Sequence, residues 1–250
     1  MTIQDNNQRG PQVHVSIVLP TYNEKENLPQ VVQKLLNVFD NHHVKGNIIV
    51  VDDNSPDDTG KLADQIAAKE QRVQVIHRKG KMGLGTAYIA GFRHALENNM
   101  ADLVFSMDCD LSHDPAYIPD FIDMHLKGYD VVVGSRYIEG GGVENWGMHR
   151  RIMSKGANLL SSTILGVKVK DMTTGYRCYS GQVLKEIEMD SITSNGYSFL
   201  EEVLFLCNKK GFAIGETPIV FIDRTFGSSK LSKNEMWKFF LTLMRLKIKR

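Results

Sequence analysis

The chain has 250 residues, is 42% hydrophobic and 24% charged, and sets 30 Lys and Arg against 29 Asp and Glu for a formal net charge of +1. That balance excludes wholesale disorder and gives no support to a nucleic-acid protein held by bulk charge. The cysteines Cys109, Cys178 and Cys207 stand far apart with no CxxC pair, which excludes a disulfide scaffold or a zinc ribbon and fits a reducing compartment.

Residues 1–12 read as a polar, flexible tail without the apolar core of a secretory signal. An apolar strand follows at 13–19. Leu28, Val31, Val32, Leu35, Leu36 and Phe39 then recur at helix spacing. A second strand covers 48–51 and a helix 57–69, a third strand 73–76 with a helix face from Leu84 to Leu96, and a fourth strand 103–107 with a helix around Ile118–His125. A fifth strand lies at 131–133. Repeated strand–helix units predict right-handed crossovers and a mainly parallel sheet covered by helices on both faces. Beyond Gly134 the rhythm changes. Gly140, Gly141 and Gly142 read as a mobile loop, followed by a helix over 149–165, a strand near 176–179, a helix near 200–210, a strand near 219–222 and a last helix from Asn234. The organisation is a tail, a single domain over 13–230 and a C-terminal helix over 231–250. No stretch of 18 residues is free of charge, so no transmembrane helix is expected.

Ligands of a parallel sheet bind beyond the carboxyl ends of its strands. The first strand ends in Pro20-Thr21-Tyr22-Asn23-Glu24, the second in Asp52-Asp53-Asn54-Ser55, and the fourth in Asp108-Cys109-Asp110. Asn23, Asn54 and Ser55 read equally well as helix caps. Capping does not explain so many carboxylates on one rim, which call for a cation or a sugar–base hydroxyl network. The alternate carboxylates of Asp108 and Asp110 suit one hard cation, with diphosphate oxygens completing its shell. The segment Gly83-Leu84-Gly85-Thr86-Ala87-Tyr88 starts like a dinucleotide fingerprint, but Tyr88 stands at the third glycine and the motif follows the wrong strand. Its glycines are expected to let the chain turn closely past a ligand or a neighbouring strand.

The segments PTYNE (20–24), VDDNSPDDT (51–59), RKGKMGLGTAY (78–88), MDCDLSHDP (107–115), GSRY (134–137), MTTGYRCY (172–179) and DRTFGSSKL (223–231) run in order. Together they resemble the dolichyl-phosphate mannosyltransferase family, of eukaryotic type, within the family 2 inverting glycosyltransferases. The resemblance implies an α/β GT-A fold, Rossmann-like, with a mainly parallel sheet and a C-terminal extension facing acceptor and membrane. It implies transfer of mannose from GDP-mannose to dolichyl or another polyprenyl phosphate, for protein glycosylation, at the cytosolic face of the endoplasmic reticulum membrane. By position it implies that Pro20, Tyr22 and Glu24 line the guanosine pocket, with Val51 and Asp53 against base and ribose. It puts Asp108 and Asp110 on Mg²⁺ or Mn²⁺, and gives Cys109 a backbone contact to the nucleotide and an otherwise structural role. Where some relatives carry a glutamine metal ligand, this chain has Ser112. Arg136, Arg150 and Ser154 match positions facing the acceptor phosphate, and Arg224 and Lys230 a segment closing over the nucleotide phosphates. The catalytic set is then Asp110, Arg136 and Arg150. Small membrane-anchoring subunits are a further expected partner.

Several readings stay open on the residues themselves. His149 and Arg151 flank Arg150, so any of the three can point inward. Trp146 either packs the loop or meets lipid, with packing favoured. Segment 231–250 carries six basic residues against Glu235, with Trp237, Phe240, Leu241, Met244 and Ile248 on one face, which reads as an interfacial helix or as a helix packed on the core. Rival functions are UDP-glucose-dependent transfer to the same acceptor, an NAD-dependent oxidoreductase and a non-catalytic binding module. A phosphate acceptor has a second pKa near ~6 and arrives charged, so no side-chain general base is expected.

Overall fold

The computed structural model describes residues 13–194, 196–223 and 233–248, without the side chains of 197 and 233–238. The 1–12 tail, Arg224 and Lys230 lie outside the described residues. In chain order the elements are β1 (His14–Thr21), α1 (Leu28–Asn41), β2 (Lys45–Asp52), α2 (Thr59–Ala67), β3 (Val73–His77), α3 (Leu84–Glu97), β4 (Leu103–Ser106), α4 (Ile118–Leu126) and β5 (Val131–Ser135). They continue with β6 (Gly142–Glu144), α5 (Met148–Leu165), β7 (Arg177–Ser180), α6 (Gly181–Glu186), α7 (Tyr197–Lys209), β8 (Ile214–Pro218), β9 (Val220–Ile222) and α8 (Lys233–Ile248).

The main sheet has seven strands in the order β3-β2-β1-β4-β7-β5-β8. Its neighbours run parallel except at β7, which is antiparallel to both β4 and β5. The apolar strand runs are buried on both faces, and two cores result. One lies under α1, the other under α3 and α7. The stripe expected on α1 is the buried one: Leu28, Val31, Val32, Leu35, Leu36 and Phe39 all face the sheet.

Three local expectations need correction. The glycine run is not wholly a loop, because Gly142 opens β6, which pairs in parallel with Val220–Ile222. The strand expected near 219–222 is β9, but a further strand that was not expected, β8, precedes it and forms the edge of the main sheet. In β8 the buried positions are Gly215 and Thr217, so no apolar alternation announces it, and its Pro218 is tolerated at an edge. Asn23, Asn54 and Ser55 cap no helix by side chain. Asn23 and Asn54 are left-handed (φ 61° and 56°), and the Asn23 N–H donates to Ser55 Oγ across the two strand ends.

Helix α8 packs on the core, as one of its two readings expects. Leu243 and Leu246 are buried against α5 and α7, while Leu241, Met244 and Ile248 remain exposed.

Candidate active site

Because β4 and β5 both oppose β7, their carboxyl ends lie on the same edge of the sheet as those of β1 and β2. Asp108-Cys109-Asp110 follows β4, and Arg136 follows β5. An anionic strand end and a cationic one therefore stand two strand spacings apart, about 10 Å.

The carboxylates on this rim are held in different ways. Asp52 is buried and accepts hydrogen bonds from Ser55 Oγ (2.6 Å), the Ser55 N–H (3.1 Å) and Thr21 Oγ1 (3.3 Å), so it ties β1 to β2. Asp53 faces Arg78, with Nη1 2.7 Å from Oδ1. Burial raises the Asp53 pKa, and Arg78 opposes the rise. Arg78 also donates to Thr86 Oγ1 at 2.6 Å, linking this pair to α3. Repulsion at the end of β2 is thus relieved within the protein, where the sequence suggested a cation or hydroxyl network. Val51 is a correction: it is wholly buried in the core and has no surface to offer a base. Pro20 and Glu24 are half-buried, and Glu24 accepts from Asn27 Nδ2 at 2.7 Å. The Tyr22 ring is exposed, with Lys81 Nζ 4.2 Å from its centre.

Asp108 has 37% of its side chain exposed and is held from several sides. Tyr88 Oη donates to Oδ1 at 3.1 Å, and the Asp108 N–H donates to His113 Nδ1 at 3.1 Å. The latter bond makes Nε2 the protonated nitrogen of a neutral imidazole. His113 is itself buried between Tyr176 and Phe221. Burial, then the Asp108 charge, pushes the Tyr88 phenol well above its ordinary range, so it stays a donor. A Cβ on Gly175 would lie 3.4 Å from both Asp108 oxygens, and the glycine leaves that space open. Leu111 is left-handed (φ 63°), an uncommon conformation for a leucine, and it turns the chain so that the Ser112 N–H donates to Asp110 Oδ1 at 3.1 Å. Ser112 Oγ is buried without a hydrogen-bond partner among the described residues. Cys109 is buried, and burial pushes its thiol well above the ordinary range, which suits a structural role. Among the described residues no group of three His, Cys, Asp or Glu could hold a metal. The pair Asp108 and Asp110 offers hard oxygen donors beside open space, which fits a divalent cation shared with a phosphate ligand.

On the cationic side, Arg136 is buried and engages Asp171 through Nε and Nη2, both at 2.7 Å, while Nη2 also donates to Thr173 Oγ1. Burial alone would raise the Asp171 pKa. The Arg136 charge and hydrogen bonds from Arg136 and Thr173 outweigh it and hold the carboxyl low. Nη1 of Arg136 has no hydrogen-bond partner among the described residues, and the guanidinium carbon lies 5.4–5.5 Å from the ring centres of Tyr137, Trp146 and Phe221. Arg150, rather than its neighbours, points inward: it lies over the Trp146 ring (4.0 Å) and pairs with Asp223. Arg151 instead donates to the carbonyls of Trp146 and Val143. Trp146 is buried against Phe221, so it packs the loop. Ser154 Oγ accepts from Tyr137 Oη at 2.7 Å.

Sequence reasoning missed Arg78, Tyr88, His113, Asp171 and Asp223. Tyr88 left a signal as the residue that breaks the glycine fingerprint, and Arg78, His113 and Asp223 lie within the motif segments 78–88, 107–115 and 223–231.

The glycosyl transferase family 2 description matches residues 16–188. A polyprenol monophosphomannose synthase of Mycolicibacterium smegmatis is 43% identical over 225 residues, covering 89% of this chain and 82% of that protein. An undecaprenyl-phosphate mannosyltransferase of Micrococcus luteus is 40% identical over 220 residues, covering 88% of each. Among solved structures, a Mycobacterium tuberculosis glucosyl-3-phosphoglycerate synthase with Mn²⁺, UDP-glucose and phosphoglyceric acid superposes with a TM-score of 0.67 at 21% identity, over 94% of this chain and 80% of that one. At that identity the likeness supports the α/β GT-A-like fold alone.

Proposed function

The chain belongs to glycosyl transferase family 2, and from that premise we propose that it transfers mannose from GDP-mannose to a polyprenyl phosphate. The observation that carries the reading is the juxtaposition on one sheet edge of the Asp108/Asp110 pair and the Arg136/Arg150 pair. The first suits a metal-bound donor diphosphate, the second a phosphate acceptor. Asp108 and Asp110 would hold Mg²⁺ or Mn²⁺, and the cation, when bound, supplies charge neutralisation to the departing GDP. Pro20, Tyr22, Glu24 and Asp53 line the nucleoside end, where the exposed Tyr22 ring offers a stacking face. Arg224 and Lys230 are assigned to the nucleotide phosphates on the sequence resemblance alone.

The acceptor phosphate is gripped by Arg136, Arg150 and Ser154. A guanidinium fork suits it, being planar and always charged. Asp171 aims Arg136. The phosphate takes Arg150 in place of Asp223. No described carboxylate is placed to act as general base there, since Asp171 and Asp223 are both engaged by arginine. The phosphate arrives as a dianion at neutral pH and attacks the anomeric carbon in line, opposite the GDP, which inverts an α-linked donor to a β-linked mannosyl phosphate.

A lipid acceptor implies a membrane surface. No helix among the described residues is long and apolar enough to cross one. The outer face of α5 exposes Met148 (72%), Ile152 (64%) and Leu159 (70%), and α8 beside it exposes Leu241, Met244 and Ile248. We assign this shared apolar face to peripheral contact with lipid, with α5 carrying Arg150 and Ser154 on its other side. The finer reading, dolichyl phosphate at the endoplasmic reticulum with anchoring subunits, rests on the sequence resemblance, and comparing rates with dolichyl and undecaprenyl phosphate tests its lipid part. Titration with GDP-mannose, UDP-glucose and NADH, with and without Mg²⁺, tests the function. Metal-dependent binding of GDP-mannose alone is expected, and tighter binding of either rival ligand would overturn the reading.

A further inference from the structure

We infer that Tyr88 is a positioning residue for the donor site: its hydroxyl, on Asp108 Oδ1, fixes the orientation in which that carboxylate meets a divalent cation. The inference rests on the proposed role of Asp108 and assigns the glycine segment that the reaction otherwise leaves unused. Tyr88 is fully buried on α3, and its ring stacks between Phe92 (5.7 Å) and Phe199 of α7 (6.1 Å, planes 9° apart). Gly85 makes this stack possible, because a Cβ there would lie 2.7 Å from the Phe199 ring. The glycine therefore serves a close aromatic contact and not a phosphate.

Packing alone would be met by phenylalanine. A buried hydroxyl needs a partner, and the partner here is the first carboxylate of the DxD triplet. With its N–H donated to His113 and one carboxylate oxygen tied to Tyr88, Asp108 is fixed at both its backbone and its side chain. A carboxylate so held presents a defined set of lone pairs, where an untethered one must be ordered by the cation itself.

The test is Mn²⁺ binding in the presence of saturating GDP, by calorimetry, in the native protein and in Tyr88→Phe. The substitution removes one oxygen and keeps the stack. The Mn²⁺ Kd is expected to rise by about 10-fold or more, the scale of lost outer-shell contacts, with metal-free GDP affinity within about twofold. Phe92→Leu, which disturbs the same stack without touching Asp108, is expected to lower thermal stability and leave the Mn²⁺ Kd unchanged. An unchanged Kd in Tyr88→Phe overturns the inference, as does an equal shift in Phe92→Leu, which would make the effect one of packing. A native protein that binds no Mn²⁺ with GDP overturns instead the donor-site reading beneath it.

Discussion

Glu201 sits on α7 with its side chain fully buried; Ser161 Oγ of α5 donates to Oε1 at 2.9 Å, and Oε2 has no hydrogen-bond partner among the described residues. Burial pushes its carboxyl from the ordinary 4.5 to about 8, against the pull of the Ser161 hydrogen bond and the Arg177 charge. Between those two values the folded protein keeps a proton that the unfolded chain has released. Stability therefore falls as pH rises through this window, by up to about 1.4 kcal/mol per pH unit from this group. Glu201→Gln keeps the shape and an acceptor for Ser161 but has no proton to lose. The two proteins should unfold alike at the acid end, and near pH 8 the variant should be the more stable by roughly 4 kcal/mol, a large share of a domain's total. Urea unfolding at about pH 5, 6, 7 and 8 reads the difference, with the slope of stability against pH as the observable. Equal slopes for both proteins would refute the reasoning, because they would mean that Glu201 binds no extra proton on folding.

Asp171→Ala removes the counter-ion of Arg136 and an acceptor for the N–H groups of Arg136, Thr173 and Thr174, so denaturant unfolding should show a loss of about 3–5 kcal/mol. Because Arg136 also holds Asp171, and its loss would disturb the fold, Arg150→Lys is the cleaner probe of acceptor grip: kcat should drop by roughly 10-fold or more with GDP affinity unchanged, as expected for lost charge-assisted hydrogen bonds, and an unaltered kcat would remove Arg150 from the site. Ile152→Glu with Leu159→Glu should abolish flotation with anionic liposomes, by losing apolar contact and adding like charge, while turnover on a short, water-soluble polyprenyl phosphate persists; flotation at the native level would exclude the α5 face as the lipid contact.

The strands of the main sheet were legible where both faces are buried, since β1, β2, β4 and β5 read as continuous apolar runs. β8 was not, because glycine and threonine occupy its inward positions. The acidic strand ends were equally visible, as residue types in fixed places after each strand. Their partners were not. Asp171 meets Arg136 from 35 residues away, and Asp223 meets Arg150 from 73, so each pairing is a product of packing that no local pattern encodes. Val51 shows the converse: it matches a motif position, yet its environment makes it part of the core.

The reversed strand β7 also bears on how the molecule is made. It alone joins β4 to β5, with Leu103 opposite Ser180 and Val131 opposite Tyr179. Synthesis from the N-terminus therefore delivers β1 to β4 as a parallel half-sheet with a bare edge at β4, and that edge stays open until the chain has grown past residue 180. An unpaired apolar edge is a template for misassociation. Fragments that stop short of β7 should accumulate as aggregates, and the two halves of the active site are joined only late, when one short strand slots between them.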